Sequence, residues 1–483
     1  AARTTQADST LSTRRNDAGG GIARGELAWI AGSGFLAGAF AVTVWMRVLS
    51  AAHIRFSIVS IGTPLTVVTL ALFGVVIVRR RARRLAKVAQ EAPGVATSSA
   101  GVAAVASVAN DGAAPAGSAA TGDTPWSNPR RALWWALVAW LAVRFGMLLV
   151  EVVRIPLYPW DAWEQWATKA RVWYEFGRLV PFVDAGTWFA AHGAAWTDAS
   201  PSYPATVPLW QVWSCIALGR WDDALMNLPW WLTAVALAFA AYGIVRSSGA
   251  SPLAAMIGAW LVASLPLANV HVALAGYADL PMAAYYALAA LTLWRWTQSR
   301  RAADAVLALV FALACPSIKT PGLVWALTLA PAVFVTLLPQ RGPRLVGIGL
   351  AVVGFGLLVL ARVHPLVLGY RLHLDFAPAW DGLVDSFFLL GNWNLLWYAA
   401  IACAVVMWSE LSKRPLLPLS LTLGIGFAFL AVVFAFTNAR DWVSDQTTIN
   451  RAALHIAPLV AVWMVLVCVR WLDGHRVARA QPA

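Results

Sequence analysis

Apolar runs of about 20 residues recur along the 483-residue chain, and each is long enough to cross the hydrocarbon core of a bilayer. Segments 133–150 and 345–360 are typical, and only Arg144 interrupts the first of them. Such continuous runs predict helices, because the strands of a membrane β-barrel alternate apolar and polar residues. Only 12% of the residues are charged, against roughly 25% in soluble domains. We therefore expect an all-α polytopic membrane protein.

The apolar runs predict about 12 transmembrane helices. Basic clusters at 79–87, 130–131 and 300–301 alternate with loops that contain few basic residues. By the positive-inside rule, this alternation places both termini in the cytoplasm. The net charge of +13 thus reflects membrane orientation and indicates no nucleic-acid partner. The helices are expected at residues 27–49, 56–78, 132–153, 229–246, 252–270, 280–297, 302–316, 321–338, 344–362, 393–409, 416–436 and 452–471.

We predict a multi-pass protein of a bacterial-type cytoplasmic (inner) membrane, with the outer loops facing the periplasm.

Composition divides the chain into four parts. Segment 92–131 is rich in Ala, Gly and Ser, which is typical of a linker. The parts are an N-terminal tail, two-helix hairpin and basic cytoplasmic segment (1–91), a cytoplasmic linker (92–131), a transmembrane core (132–472, with outer loops 154–228, 363–392 and 437–451) and a cytoplasmic tail (473–483).

The first outer loop contains the most informative stretch, residues 158–177. At the helical repeat, Trp163, Trp166 and Trp173 fall on one face, and polar residues that include Asp161 fall on the other. Trp on one side and charge on the other are typical of a helix that lies in the membrane interface. The sequence therefore predicts an outward-facing interfacial helix directly after a membrane-spanning helix.

Two acidic residues at outer helix ends each have two interpretations. Asp161 is either a catalytic base at the membrane surface or a helix N-cap, with Glu164 completing a capping box. Asp279 is either an active-site group, as a second acid or as an orienter of the acceptor, or the N-cap of the sixth predicted helix, with Pro281 in its first turn.

Three basic residues at outer helix ends are candidate substrate-binding groups. Lys319 either holds a phosphate or extends to the interface. Arg451 and His455 are four residues apart and share a helix face, which suits binding of a phosphate. The alternatives are a salt bridge from Arg451 to Asp441 or Asp445, and a hydrogen-bonded core position for His455.

In their order along the chain, these segments resemble the GT-C superfamily of membrane glycosyltransferases. That superfamily includes protein O-mannosyltransferases and the lipid A aminoarabinose transferase. The resemblance covers about residues 132–471. It rests on the Asp161 helix with its Lys-Ala-Arg run (169–171), on Tyr203-Pro204 with Pro208, and on the segments GYADLP (276–281), SIKTPG (317–322) and TINRAALHIAP (448–458).

The resemblance implies transfer of a sugar from a polyprenyl-phosphate donor to an extracytoplasmic glycan, lipid or protein, with Asp161 as general base. Asp279 is the second catalytic candidate because of its position at an outer helix end. The family often has two adjacent acidic residues in this loop, but Ala162 follows Asp161 here. No cofactor is therefore assigned, and a divalent metal stays an open alternative that has no support from the sequence. The candidate substrate-binding residues are Glu164, Lys169, Arg171, Tyr203, Lys319, Arg451 and His455.

A transporter or lipid flippase without covalent chemistry is the alternative. Such a protein places its essential charges near the bilayer midplane, on broken helices. The candidate charges here lie at outer helix ends and in one long loop, which favours an enzyme. The sequence also contains no Walker loop, which argues against nucleotide-driven transport.

Overall fold

The structure, a computed structural model, describes residues 24–91, 127–367 and 369–480. Most of the expected linker, residues 92–126, lies outside the described residues, as do 1–23 and 481–483. The described chain is predominantly helical. It also contains a short antiparallel hairpin of two strands, β1 (Leu366–Val367) and β2 (Tyr370–Arg371), in which Leu366 lies opposite Arg371.

We number the helices in chain order. The first ten are α1 (Glu26–Ala51), α2 (Thr63–Glu91), α3 (Asn128–Arg154), α4 (Thr168–Phe176), α5 (Ala185–Ala190), α6 (Thr206–Leu218), α7 (Leu228–Ser247), α8 (Pro252–Ala263), α9 (Pro266–Ala273) and α10 (Asp279–Ser299). The next ten are α11 (Ala302–Ile318), α12 (Gly322–Leu327), α13 (Ala330–Leu337), α14 (Gly342–Ala361), α15 (Trp380–Val384), α16 (Leu396–Val406), α17 (Trp408–Leu411), α18 (Leu417–Phe436), α19 (Thr447–Leu454) and α20 (Ala457–Ala480). Wider π-helical turns form at Ile58–Gly62, Ala162–Ala167 and Asp385–Leu389, and tighter turns at Leu225–Asn227 and Asn438–Trp442.

Seven helical segments in the described part are long and apolar enough to cross a membrane. The pair α8 and α9 makes an eighth if it is counted as one bent segment. The chain is thus an all-α membrane protein. Length and composition identify fewer membrane-spanning helices in the described part than the 12 predicted from the sequence. The seven segments are Glu26–Ala51, Ile58–Arg79, Asn128–Arg154, Leu225–Ser247, Gly342–Ala361, Leu417–Phe436 and Ala457–His475.

Several of the predicted helices are broken in the structure. Segment 252–270 becomes α8 and α9, which are bent by 59°. The break occurs because Pro266 has no backbone N–H to continue the ladder. Side-chain amides bond the carbonyls left over, since Asn269 Nδ2 donates to Ala263 O (3.1 Å) and Asn394 Nδ2 donates to Ser264 O (3.0 Å). Segment 321–338 likewise divides into α12 and α13.

Helix α10 lies at the centre of the bundle. Its residues from Asp279 to Trp294 are all buried, and it packs against α7, α11, α18 and α20. Polar groups on such a helix need partners, because no water is available to them. Accordingly, Tyr285 Oη donates to the Leu36 carbonyl (2.6 Å) and Tyr286 Oη bonds the hydroxyl of Thr328 (2.8 Å). This packing fixes Asp279, the first residue of α10, at one end of the bundle.

The loop at residues 154–228, predicted to be the first outer loop, differs from the expected interfacial helix. Trp166 and Trp173 are 0% and 5% exposed, respectively, so most of the aromatic face packs against protein. Trp166 lies 5.0 Å from the ring of Tyr203, and Trp173 Nε1 donates to the Val180 carbonyl (2.9 Å). The expectation of a lipid-facing stripe is therefore wrong for these two residues, because later parts of the loop cover them. Trp163 remains 42% exposed.

Helix α1 packs closely on α7 through small residues. A Cβ added to Gly32 would lie 2.2 Å from the carbonyl oxygen of Ala236, and one added to Gly243 would lie 2.3 Å from the backbone nitrogen of Trp29. Such close backbone approach is typical of membrane helix pairs with glycine at the contact. The first helix of the N-terminal hairpin is thus joined to the helices that follow the linker.

We expect Gly32→Ala to lower the free energy of unfolding by about 1–3 kcal/mol, because the added methyl group overpacks the contact with α7. Gly34→Ala is the matched control, since its Cβ would meet nothing within 4 Å. Thermal unfolding of both variants in detergent measures the difference. Equal unfolding midpoints would contradict the close packing of α1 on α7.

Candidate functional site

Four charged side chains from four separate elements meet at one end of the bundle. They are Asp161, Asp279, Lys319 and Arg451, which we call the charge cluster. Asp161 precedes the turn Ala162–Ala167, Asp279 begins α10, Lys319 follows α11, and Arg451 lies in α19. Two carboxylates and two cations make the formal charge of the cluster zero.

Asp279 is the hub of the charge cluster. Its side chain is 0% exposed. Oδ1 accepts from Lys319 Nζ (2.5 Å) and lies 3.1 Å from His455 Nε2, and Oδ2 accepts from Arg451 Nε (2.9 Å). An ionised carboxylate without partners at this depth would cost several kcal/mol. Its three partners offset that cost, and the carboxylate in turn fixes both cations.

Arg451 bridges the two carboxylates. While Nε bonds Asp279, Nη1 donates to Asp161 Oδ2 (2.5 Å). The alternative of a salt bridge to Asp441 or Asp445 is therefore wrong. Asp445 Oδ1 instead accepts from the backbone of the following turn, and Asp441 lies beside another arginine.

Neither carboxylate caps a helix with its side chain. Asp161 occupies the N-cap position of the turn Ala162–Ala167, but it makes no capping hydrogen bond, so the expected capping box is absent. Asp279 is the first residue of α10, and Ala278 occupies its N-cap position. The Asp161 side chain is 25% exposed, whereas that of Asp279 is 0% exposed. Asp161 is thus the carboxylate that a ligand can reach.

A tight turn before α10 brings the two carboxylates close together. Gly276 in this turn has a φ of +108°, which favours glycine. A Cβ at this position would also lie 2.6 Å from the Ala162 Cβ and 2.7 Å from the Leu157 Cδ1. Glycine therefore allows the turn to approach the segment that carries Asp161.

Aromatic rings border the charge cluster. The Arg451 guanidinium carbon lies 4.8 Å from the centre of the Tyr277 ring, a cation–π contact. Tyr203 packs on Trp166 on the loop side. Burial raises the pKa of the Tyr203 hydroxyl, and the nearby Arg451 opposes this with a smaller effect. The Tyr203 hydroxyl is therefore neutral at physiological pH and can donate a hydrogen bond.

Lys169 lies outside the charge cluster. It is 1% exposed, and Nζ donates to the carboxylate of Asp198, to the carbonyl of Ser200 (2.7 Å) and to the carbonyl of Gln165 (3.2 Å). Burial lowers the pKa of Lys169, and the bond to Asp198 opposes this effect. Because an ammonium has three N–H donors and all are used, Lys169 holds the loop together.

Arg171 and Glu164 are also separate from the charge cluster. Arg171 Nη2 pairs with Glu175 Oε1 (2.7 Å), and both side chains are about half exposed. The Arg171 guanidinium also lies over the ring of Trp221 (5.0 Å). Among the described residues, the Glu164 side chain has neither an ion pair nor a hydrogen bond. In the described part of the chain, no hydrogen bond or ion pair thus joins Glu164, Lys169 or Arg171 to the cluster.

Two residues beside the charge cluster, Tyr277 and His271, were not predicted from the sequence as site residues. The ring of His271 packs edge-on against that of Tyr277, with centroids 5.3 Å apart, and His271 is 5% exposed. A histidine at the end of an otherwise apolar run, shortly before the GYADLP segment, was the available signal.

Comparisons with protein-family models, with curated proteins and with solved structures find no match. Within the part of the chain that the structure describes, no group of three or more His, Cys, Asp or Glu side chains is arranged to hold a metal ion. The charge cluster itself supplies two cations and one partly exposed carboxylate.

We expect Asp279→Asn to lower the free energy of unfolding by about 3–5 kcal/mol, because two cations lose their shared buried counter-ion. Asp161→Asn is the matched variant, and breaking its partly exposed pair should cost about 1 kcal/mol or less. Denaturant unfolding of both variants in detergent measures these losses. If the two substitutions destabilise the protein equally, Asp279 is not the hub.

Proposed function

We propose that the protein is a membrane glycosyltransferase of the GT-C type. It moves a sugar from a polyprenyl-phosphate donor to an extracytoplasmic glycan, lipid or protein. The observation that carries this proposal is the charge cluster, in which a buried carboxylate fixes two cations beside a second carboxylate that is 25% exposed. Cations suited to a phosphate leaving group and a reachable base are the groups that this transfer needs.

Arg451 and Lys319 are the groups that we assign to the donor phosphate. A guanidinium matches the geometry of phosphate oxygens, and an ammonium adds a compact charge. Because the cluster is neutral, an incoming phosphate competes with a carboxylate for Arg451. Asp161 is the carboxylate that gives way, since it has one ionic partner and is partly in solvent, whereas Asp279 has three polar partners and is buried.

Displacement from Arg451 leaves Asp161 free to act as general base. Its carboxylate accepts the proton of an acceptor hydroxyl or amine, and that acceptor atom bonds to the anomeric carbon. The bond from the anomeric carbon to the phosphate oxygen breaks, and its electron pair stays on the polyprenyl phosphate. Arg451 and Lys319 stabilise the charge that develops there. Asp279 orients both cations throughout and transfers no proton.

The reaction is assigned to the outer face of a bacterial-type cytoplasmic (inner) membrane, with the site facing the periplasm and both termini in the cytoplasm. The alternation of basic clusters supports this orientation. It assigns all four residues of the charge cluster to the same side, in agreement with their mutual contacts. A lipid-linked donor can then reach the cluster from within the bilayer.

A transporter or lipid flippase is the second candidate, and the bent pair of α8 and α9 favours it. Transporters often place broken helices at their substrate sites. At this break, however, the side chains of Asn269 and Asn394 bond backbone carbonyls, and the charged residues lie elsewhere, at the ends of helices. The position of the charges therefore favours an enzyme.

In proteoliposomes with added cell-envelope extract, we expect Asp161→Asn to lower turnover of a radiolabelled polyprenyl-phosphate sugar by about 10²–10⁴-fold, because an amide cannot act as general base. The same substitution should tighten binding of polyprenyl phosphate, because asparagine competes less well for Arg451. Glu175→Gln is the control. It removes an exposed carboxylate of the same loop and should change neither quantity.

Turnover by Asp161→Asn within a few-fold of wild type would contradict the assignment of the base. Weaker binding of polyprenyl phosphate to this variant would contradict the exchange at Arg451. Movement of intact labelled donor across the bilayer by the wild-type protein, without cleavage, would support the transporter.

A further inference from the structure

Two buried imidazole nitrogens close to the charge cluster have no hydrogen-bond partner in the described part of the chain. They are Nδ1 of His271 and Nδ1 of His455, on residues that are 5% and 3% exposed. Most buried polar atoms in native proteins are bonded, since an unpaired one destabilises the folded state. Unpaired nitrogens beside a candidate site are therefore positions to which a bound ligand can supply the partner.

The two histidines differ in what else holds them. His455 is tied to the charge cluster, because its Nε2 lies 3.1 Å from Asp279 Oδ1. Among the described residues, His271 makes no side-chain hydrogen bond, and its ring packs edge-on against that of Tyr277. The same Tyr277 ring contacts the guanidinium of Arg451 (4.8 Å). The Tyr277 ring thus contacts both the His271 imidazole and the cation that we assign to the donor phosphate.

We propose that His271 recognises the sugar of the donor, with Nδ1 hydrogen-bonded to a sugar hydroxyl. This inference rests on the proposed function. A sugar linked to a phosphate at Arg451 extends away from it by one ring, and the Tyr277 ring contacts both Arg451 and His271. Charged groups for the phosphate are already supplied by Arg451 and Lys319, so the imidazole is matched to a neutral partner. A hydroxyl both donates and accepts, and it therefore pairs with either tautomer.

The test uses two substitutions in the full-length protein. His271→Phe keeps a ring against Tyr277 and removes the nitrogens, whereas His271→Asn keeps a polar atom near the position of Nδ1. The ligands are polyprenyl phosphates that carry mannose, glucose or N-acetylglucosamine, and polyprenyl phosphate without a sugar. Binding is followed by tryptophan fluorescence, and stability by thermal unfolding.

We expect His271→Phe to bind the preferred sugar-bearing lipid about 10-fold more weakly than wild type, which corresponds to the loss of one hydrogen bond. Its affinity for the lipid without a sugar should be unchanged, and its unfolding midpoint should be equal or higher, because an unpaired polar atom is gone. His271→Asn should recover part of the lost affinity. His455→Phe is the matched control and should lower stability and weaken both ligands, since it breaks the bond to Asp279.

Unchanged affinity of His271→Phe for the sugar-bearing lipid, or an equal loss for both lipids, would overturn the role of His271. A wild-type protein that binds both lipids equally would overturn it as well, while leaving the phosphate site intact. If the wild-type protein binds neither lipid, the proposed function fails, and the inference fails with it.

Discussion

A carboxylate stays ionised inside a helical bundle only when cations lie beside it. This constraint determines the arrangement of charged residues around Asp279 at one end of the bundle. The residue begins α10, the helix that is buried on every side, so it cannot move toward solvent. Lys319 and Arg451 reach it from positions 40 and 172 residues further along the chain. The need to pair one buried charge thus joins the ends of α10 and α11 to α19.

The charge cluster is balanced in charge but unequal in how its carboxylates are held. Asp279 has three polar partners and no exposure, while Asp161 has one ionic partner and is 25% exposed. A ligand anion therefore has one carboxylate that it can replace and one that it cannot. The turn at Gly276 lets the segment that carries Asp161 approach the start of α10, because glycine places no side chain between the two segments. This inequality connects the packing of the bundle to the proposed chemistry.

Much of the helical architecture follows from sequence, because continuous apolar runs allow few structures other than helices. The candidate residues Asp161, Asp279, Lys319 and Arg451 were also identified, since charges at the ends of apolar runs are costly and therefore conspicuous. Their mutual contacts were not predictable. Arg451 and Asp161 are 290 residues apart, and local spacing suggested nearer partners for the arginine. Periodicity located the aromatic face of the first loop, but it cannot tell whether protein or lipid covers Trp166. The burial of Lys169 was likewise not predicted, because its partner Asp198 lies 29 residues away.

The central claim is that the charge cluster cleaves a lipid-linked sugar from its phosphate. The most direct test gives purified wild-type protein in proteoliposomes a polyprenyl-phosphate sugar with tritium in the sugar and radioactive phosphorus in the lipid phosphate, together with cell-envelope acceptors. The account predicts that the two labels separate, with tritium in the acceptor fraction and phosphorus retained on the lipid. Labels that remain together, on whichever side of the bilayer, would contradict it.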